Sequence, residues 1–460
     1  VGGGKRVDEL QNLPAAAAGG GIRLNRICLI NVVGLTPRLL PHAPHLAEFA
    51  RSGGQAAAPW QSPLPAVTAT CQASMLTGKS PAKHGIVGNG WYYRDTQEIR
   101  FWQQANSLMQ AAPFYDDYET AKLFWWFNQS SSARYSVTPK PHYGCDGSKI
   151  FGILDHTDCQ LEQKLGPFPF FSFWGPHAGL PCTNWIARAA ALVLQQKRPE
   201  VTLVYLPHLD YDFQRYSEPS MQRVAEVDQC AYQVIQAAEA IDAIPIVVSE
   251  YGLTAVRQPI HINRELRKAG WLKVRSGPFG EMLLPGESPV FAVADHQLAH
   301  IYVNDPKLLA EVRTRILELP GVDQVVEPAE LELDHPRSGE LIALAKPDAW
   351  FTYYYWLDNR QAPDFASTVD IHRKPGYDPC ELFLTSRWRA LGRLAQKKLG
   401  FRYRMDVIPL DARIVQGSHG LHPADPADGP LIIGPDPLPA TMQDFPDYAR
   451  RLLRAGNSRG

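Results

Sequence analysis

"RICLINVVGL", residues Arg26–Leu35, decides the fold. It is an almost unbroken run of aliphatic and β-branched side chains, stopped at Gly34. A strand with one face in water alternates apolar with polar residues. This one does not, so both faces are buried, as in a central strand of a parallel sheet. Working outward, "VTLVYLP" (Val201–Pro207) and "IPIVV" (Ile244–Val248) repeat the pattern. Two segments at helical spacing lie before and between them: "NWIARAAALVLQQKRP" (Asn184–Pro199) and "SMQRVAEVDQCAYQVIQAAEA" (Ser220–Ala240). The second places Val224, Val227, Ala231 and Val234 on one face. Alternating strands and helices predict an α/β fold, doubly wound about a mostly parallel sheet. In such sheets ligands bind beyond the carboxyl ends of the strands. That points to three strand ends, Asn31–Gly34, His208–Asp212 and Glu250–Tyr251.

The composition excludes several classes. The 460 residues are 45% apolar and 20% charged, with a formal net charge of -1. No basic field awaits a nucleic acid. No continuous apolar segment is long enough to span a bilayer, so no membrane partner is expected. The seven cysteines are scattered and form no CxxC pair. They read as reduced thiols of a cytoplasmic protein rather than a disulfide framework or a zinc knuckle.

The α/β core is expected over 22–94, 183–254 and 366–440. An aromatic-rich insertion is expected over 95–182, where "AKLFWWFNQ" and "LGPFPFFSFWGPHAG" stand, packed over one edge of the sheet. A small α+β cap is expected over 255–365. Residues 1–21, rich in Gly and Ala and without the apolar stretch of a signal peptide, read as a flexible tail. Trp125, Trp126 and Phe168–Trp174 form either a ring-binding wall or, more often for aromatics at this density, core.

Several constellations bear chemistry. In "PAVTATCQASMLTGKSPAKHGIVGNGWY" (Pro65–Tyr92), Thr68 lies just before a short helix expected at about Cys71–Leu76. A hydroxyl there can act as a nucleophile beside the N–H groups of a helix start; an ordinary helix N-cap is the bland alternative. "YLPHLDYDFQRY" (Tyr205–Tyr216) crowds His208, Asp210, Asp212 and Gln214 immediately after a strand, a set suited to a divalent metal; a solvated loop with an internal ion pair to Arg215 is the alternative. Glu250 in "VVSEYG", His419 in "VQGSHG" and the Asp295, His296, His300 group in "FAVADHQLAHIYV" complete the set. His296 and His300 have a ligand-like spacing only on a helix, which their β-branched neighbours oppose.

The order of these motifs resembles the type I phosphodiesterase/nucleotide pyrophosphatase family of the alkaline phosphatase superfamily, over roughly Ile22 to Gly434. The most specific piece runs from Thr68 to Asn89, with Thr77-Gly78, Pro81 and His84-Gly85-Ile86 in register. Within the family the chain looks like an atypical bacterial subgroup with altered metal ligands. The resemblance implies an alkaline phosphatase-like fold and a phosphate ester hydrolase. It also implies two divalent ions about 4 Å apart that activate the nucleophile and clamp the phosphoryl oxygens. Zinc is the first expectation, with Mg or Mn, and one ion or two, as alternatives. Thr68 matches the nucleophile, and Asp210 and His419 match ligands. The chain departs from the pattern elsewhere: a ligand Asp is Val33, a ligand His is Gln214, an Asp-His pair is Glu250-Tyr251, and a phosphate-contacting Asn is Cys71. Asn31 could substitute weakly on the same strand face. The expected site is therefore Thr68 as nucleophile, Asp210, Gln214, Glu250 and His419 about metal, and Cys71, Asn89, Tyr251, His372 and Lys374 toward substrate. The expected substrate is a small phosphorylated metabolite or nucleotide-like molecule, and a homodimer is one option. The competing reading is a metal-poor member that binds without hydrolysis or transfers a group in a biosynthetic pathway.

Overall fold

The computed structural model describes residues 25–144, 149–216 and 220–454. The tail expected over 1–21 lies outside the described residues. Eight strands form the main sheet: β1 (Arg26–Val32), β2 (Gln55–Pro59), β3 (Thr120–Leu123), β4 (Tyr135–Pro139), β5 (Ile153–Asp155), β6 (Val201–Leu206), β7 (Ala243–Val248) and β12 (Leu431–Pro435). Their order across the sheet is β2-β12-β7-β1-β6-β3-β4-β5. β1 pairs in parallel with β6 on one side and β7 on the other. Every residue of Ile27–Val32 is buried, as the unbroken apolar run requires. Helices α2 (Leu180–Lys197) and α4 (Met221–Glu239) pack together against the sheet, and α1 (Thr68–Thr77) and α6 (Phe445–Arg454) also pack together, α6 reaching β1. The fold is a doubly wound α/β fold with a mostly parallel sheet.

The register explains where the site falls. Asn31, near the end of β1, sits beside Tyr205 of β6 and Val248 of β7. The three central strands thus release their chains side by side.

Two expectations are corrected. Residues 95–182 do not merely cover a sheet edge: β3, β4 and β5 extend the main sheet itself. These strands are three to five residues long and bounded by aromatics and prolines, so they carry no readable period. Trp125, Trp126 and Phe168 are core, with Phe168 packed on Phe124 and Trp185, while Phe170, Phe173 and Trp174 are half-buried and Phe171 is exposed. The residues after His208 are not a loop. They form helix α3 (His208–Arg215), which begins directly after Pro207.

Segment 255–365 holds a four-stranded antiparallel sheet of β8 (Val290–Asp295), β9 (Leu298–Val303), β10 (Val322–Val326) and β11 (Leu341–Ala345), in the order β8-β9-β11-β10. It anchors a second hydrophobic core. Part of the stretch expected in the α/β core joins this second one instead, including Tyr377, Cys380, Val407 and Val415. Among the described residues no helix is long and apolar enough to cross a membrane.

Candidate active site

Thr68 is the first residue of α1, which starts three residues earlier than expected. Val67 occupies the cap position, so Thr68 is not the N-cap, and its hydroxyl faces the strand ends. It lies 2.9 Å from the Tyr251 hydroxyl. It also stands near the Glu250 carboxyl and the Tyr205 hydroxyl and favours the charged form of each, without a hydrogen bond to Glu250 Oε2. The first N–H groups of a helix have no partner within it; here the Ala69 N–H donates to Asn89 Oδ1 at 3.1 Å.

Glu250 is fully buried two residues beyond β7. Its Oε1 accepts from Asn31 Nδ2 at 2.5 Å and from Gln72 Nε2 at 2.7 Å. Gln72 in turn accepts from the Trp126 N–H at 2.8 Å, so its amide is fixed in direction. Glu250 Oε2 is buried with no hydrogen-bond partner. Burial pushes the carboxyl up to about 8, although Gln72, Asn31 and Thr68 favour the anion.

Asp210 sits in the first turn of α3. Its Oδ2 accepts from Gln214 Nε2 at 2.9 Å, one helical turn on. Gln214 Oε1 accepts from the Tyr377 hydroxyl at 2.6 Å. Burial raises the Asp210 carboxyl to about 7. His419 donates through Nδ1 to the Ala66 carbonyl at 2.8 Å, which leaves Nε2 facing Asp210 Oδ1 at 3.6 Å. That is too long for a hydrogen bond, and burial holds the imidazole down at about 3. The two groups are neighbours rather than an ion pair.

Four rings form a column through the centre. Tyr251 stacks on His419 with centroids 3.6 Å apart, His419 lies 3.6 Å from His296, and His296 stacks on Tyr377 at 3.7 Å. His296 reaches it from the turn between β8 and β9. The main chain locks the crossing, since the Gln297 N–H donates to the His419 carbonyl at 3.0 Å.

The structure thus gathers Thr68, Asp210, Gln214, Glu250, Tyr251 and His419, with Asn31 beside them. Cys71 touches the group only through its thiol, 3.4 Å from the Glu250 carbonyl. Asn89 spends both ends of its amide, donating to Asp295 at 3.1 Å as well as capping Ala69. Lys374 does not serve as a substrate cation here. It is 1% exposed and pairs with Asp378 and Glu381, each at 2.7 Å. His372 meets the Phe101 carbonyl at 3.4 Å, away from the centre. His208 and Asp212 turn to one another and to Arg215 and line a separate groove. His300 is taken by the Val87 carbonyl at 2.9 Å.

Sequence reasoning missed Gln72 and Tyr377. Gln72 was within reach, because it lies four residues after Thr68 and so on the same helix face. Tyr377 carried no local signal. A small cleft lined by Asn89, Trp91, Arg100, Trp102 and Trp126 opens beside Ala69.

The donor set does not fit a pair of zinc ions. Val33 offers nothing. Glu250 Oε1 is taken by two amide N–H groups, which leaves Oε2 alone open, and Tyr251 stacks against an imidazole instead of ligating. Gln214 turns its N–H to Asp210. Among the described residues no three His, Cys, Asp or Glu converge as a metal requires.

A family model for type I phosphodiesterases/nucleotide pyrophosphatases matches residues 27–378. The chain belongs to that family, and so to the phosphoric ester hydrolases. Solved structures of hydrolases are among those similar to it. Phosphonoacetate hydrolase from Sinorhizobium meliloti 1021, in complex with phosphonoformate, is 17% identical with a TM-score of 0.58; 94% of this chain and 96% of that one are covered. Murine ectonucleotide pyrophosphatase/phosphodiesterase 5 is 12% identical with a TM-score of 0.54, covering 93% and 95%; an inactive form of it has been seen with AMP. At these identities the likeness is one of fold. No curated protein matches the sequence.

Proposed function

We propose that this chain cleaves a phosphate ester of a small phosphorylated or nucleotide-like metabolite through Thr68, with Glu250 in place of the nucleophile-side metal. The observation that carries the reading is the buried Glu250 carboxyl, with one oxygen fixed by two amides and the other unpartnered, beside the Thr68 hydroxyl. Thr68 Oγ1 attacks phosphorus as its proton passes to Glu250. The Oγ1–P bond forms and the bond from phosphorus to the leaving oxygen breaks. Asp210, protonated near neutrality through burial, returns a proton to that oxygen. Asp210 then takes a proton from a water that attacks phosphorus, the Oγ1–P bond breaks, and Glu250 returns its proton to Thr68. Tyr251, held flat on His419, orients the Thr68 hydroxyl.

Thr68→Ala tests this. It should abolish release of nitrophenol from bis(p-nitrophenyl) phosphate, and mass spectrometry of the wild-type chain quenched in acid should find a nitrophenyl phosphoryl group on Thr68. Undiminished turnover in the variant excludes the mechanism. A non-hydrolytic binding role gains support from how little of the centre meets solvent, with Thr68 4% exposed. That role predicts no turnover in the wild-type chain but nucleotide affinity preserved in Thr68→Ala.

A further inference from the structure

Helix α5 (Arg387–Lys398) is docked the wrong way round for a helix of a globular protein. Such helices bury their apolar stripe, yet no residue of α5 is buried. Its inner stripe is Ala390, Arg393 and Gln396, which are partly covered. It is fastened by charge: Arg389 and Arg393 both bind Asp406, at 2.5 and 2.7 Å. The outer face carries Trp388 at 83% exposure, Leu391 at 54% and Leu399 at 72%. At 100° per residue these share one side of the helix. Phe401, just past the helix end, is 64% exposed. A soluble surface rarely leaves such a patch bare without a use for it.

Charge names the partner. From Arg387 to Arg404 the sequence holds seven Lys or Arg and no Asp or Glu, within a chain of formal net charge -1. Arg387 and Lys398 are exposed along the margin of the apolar face. A convex helix with Trp, Leu and Phe on one side and long cations at its rim offers no groove for a protein segment. It matches the interface of a bilayer, where rings and aliphatic chains enter the headgroup boundary and cations reach lipid phosphates. We infer that α5, with the Gly400–Arg404 segment after it, is a peripheral anchor that lays this chain on an anionic membrane surface. No spanning helix is needed for such a contact, and the expectation of no membrane partner rested on spans alone.

The experiment is sedimentation of the full chain with vesicles of phosphatidylcholine alone, or mixed equally with phosphatidylglycerol. Binding to the mixed vesicles should exceed that to phosphatidylcholine by about tenfold or more and should weaken as salt is raised. Trp388→Ala with Leu391→Ala and Leu399→Ala should remove it, as should Arg387→Glu with Lys398→Glu. All five side chains are exposed, so an unchanged thermal midpoint checks the fold, and Trp388→Ala alone gives a milder arm. The inference is overturned by equal binding to both vesicles, by no binding, or by variants that bind like the wild type. It is also overturned if light scattering finds a dimer that the triple variant dissociates while neither sediments with vesicles, because the face would then belong to a second copy.

Discussion

Glu250→Gln should make the protein more stable and less active together. The substitution keeps an oxygen to accept from Asn31 and Gln72, and it removes only the ionisation. Burial lifts the folded carboxyl from 4.5 to about 8. Between those values the folded chain holds a proton that the unfolded chain releases, so stability falls as pH rises through the window. By pH 7 the deficit relative to pH 4 is about 3 kcal/mol, taken at about 1.4 kcal/mol per pH unit. The amide has no such deficit. Urea unfolding of wild type and variant should therefore coincide near pH 4 and diverge by about 3 kcal/mol near pH 7, with the variant more stable. Turnover should fall by roughly 10²–10⁴, the range for loss of a general base. The wild-type pH–rate profile should be a narrow bell with its peak between about 7 and about 8, since Glu250 must be ionised while Asp210 keeps its proton, and the variant's should lose the rising limb. A variant less stable at pH 7 would refute the account of the buried carboxyl. One with full turnover would refute its role as base.

Three further outcomes follow from the same geometry. Prolonged dialysis against a chelator should leave hydrolysis intact, and elemental analysis should find no stoichiometric zinc; activity that is lost and then restored by zinc contradicts the reading of the donor set. Lys122 is buried in β3, where burial lowers its ammonium to about 7 from 10.5, so the unfolded chain binds more protons above pH 7 and stability should rise from pH 7 toward 10; Lys122→Met should raise the urea midpoint at pH 6 and lose that advantage by pH 10. Gly252→Ala should destabilise by about 2 kcal/mol or more through overpacking, because an added Cβ would stand 1.8 Å from the Asp428 carbonyl oxygen; a wild-type thermal midpoint would mean that this loop yields.

The central strands were legible because burial on both faces leaves them almost wholly apolar, with Asn31 and Thr202 as interior exceptions, and that is a property of composition alone. The site positions followed from them, since Asn31, Asp210 and Glu250 stand at or just beyond strand ends whatever their partners. What those residues do with one another was not legible. Gln214 reads as a weakened ligand, yet only coordinates show its N–H turned to Asp210 and its oxygen to Tyr377. His296 and His300 share a ligand-like spacing, but one stands in a hairpin turn and the other in the strand after it, the first in the ring column and the second against Val87. Helix α3 was hidden because its residues are those of a polar loop. The strands of 95–182 were too short to show a period. The amphipathic pattern of α5 is in the sequence, but a pattern does not say which face the protein keeps.

The ring column joins two parts whose cores meet along a seam, where Leu298, Ile342 and Leu344 of the second sheet pack into the main core. Tyr251 follows a strand of the main sheet, while His296 and Tyr377 belong with the second sheet. The centre therefore exists only while the two bodies are docked, and a partial opening would dissolve it with both sheets intact. Loss of catalysis on warming should then precede loss of secondary structure, and the working lifetime of the enzyme would be set by that seam and not by the fold.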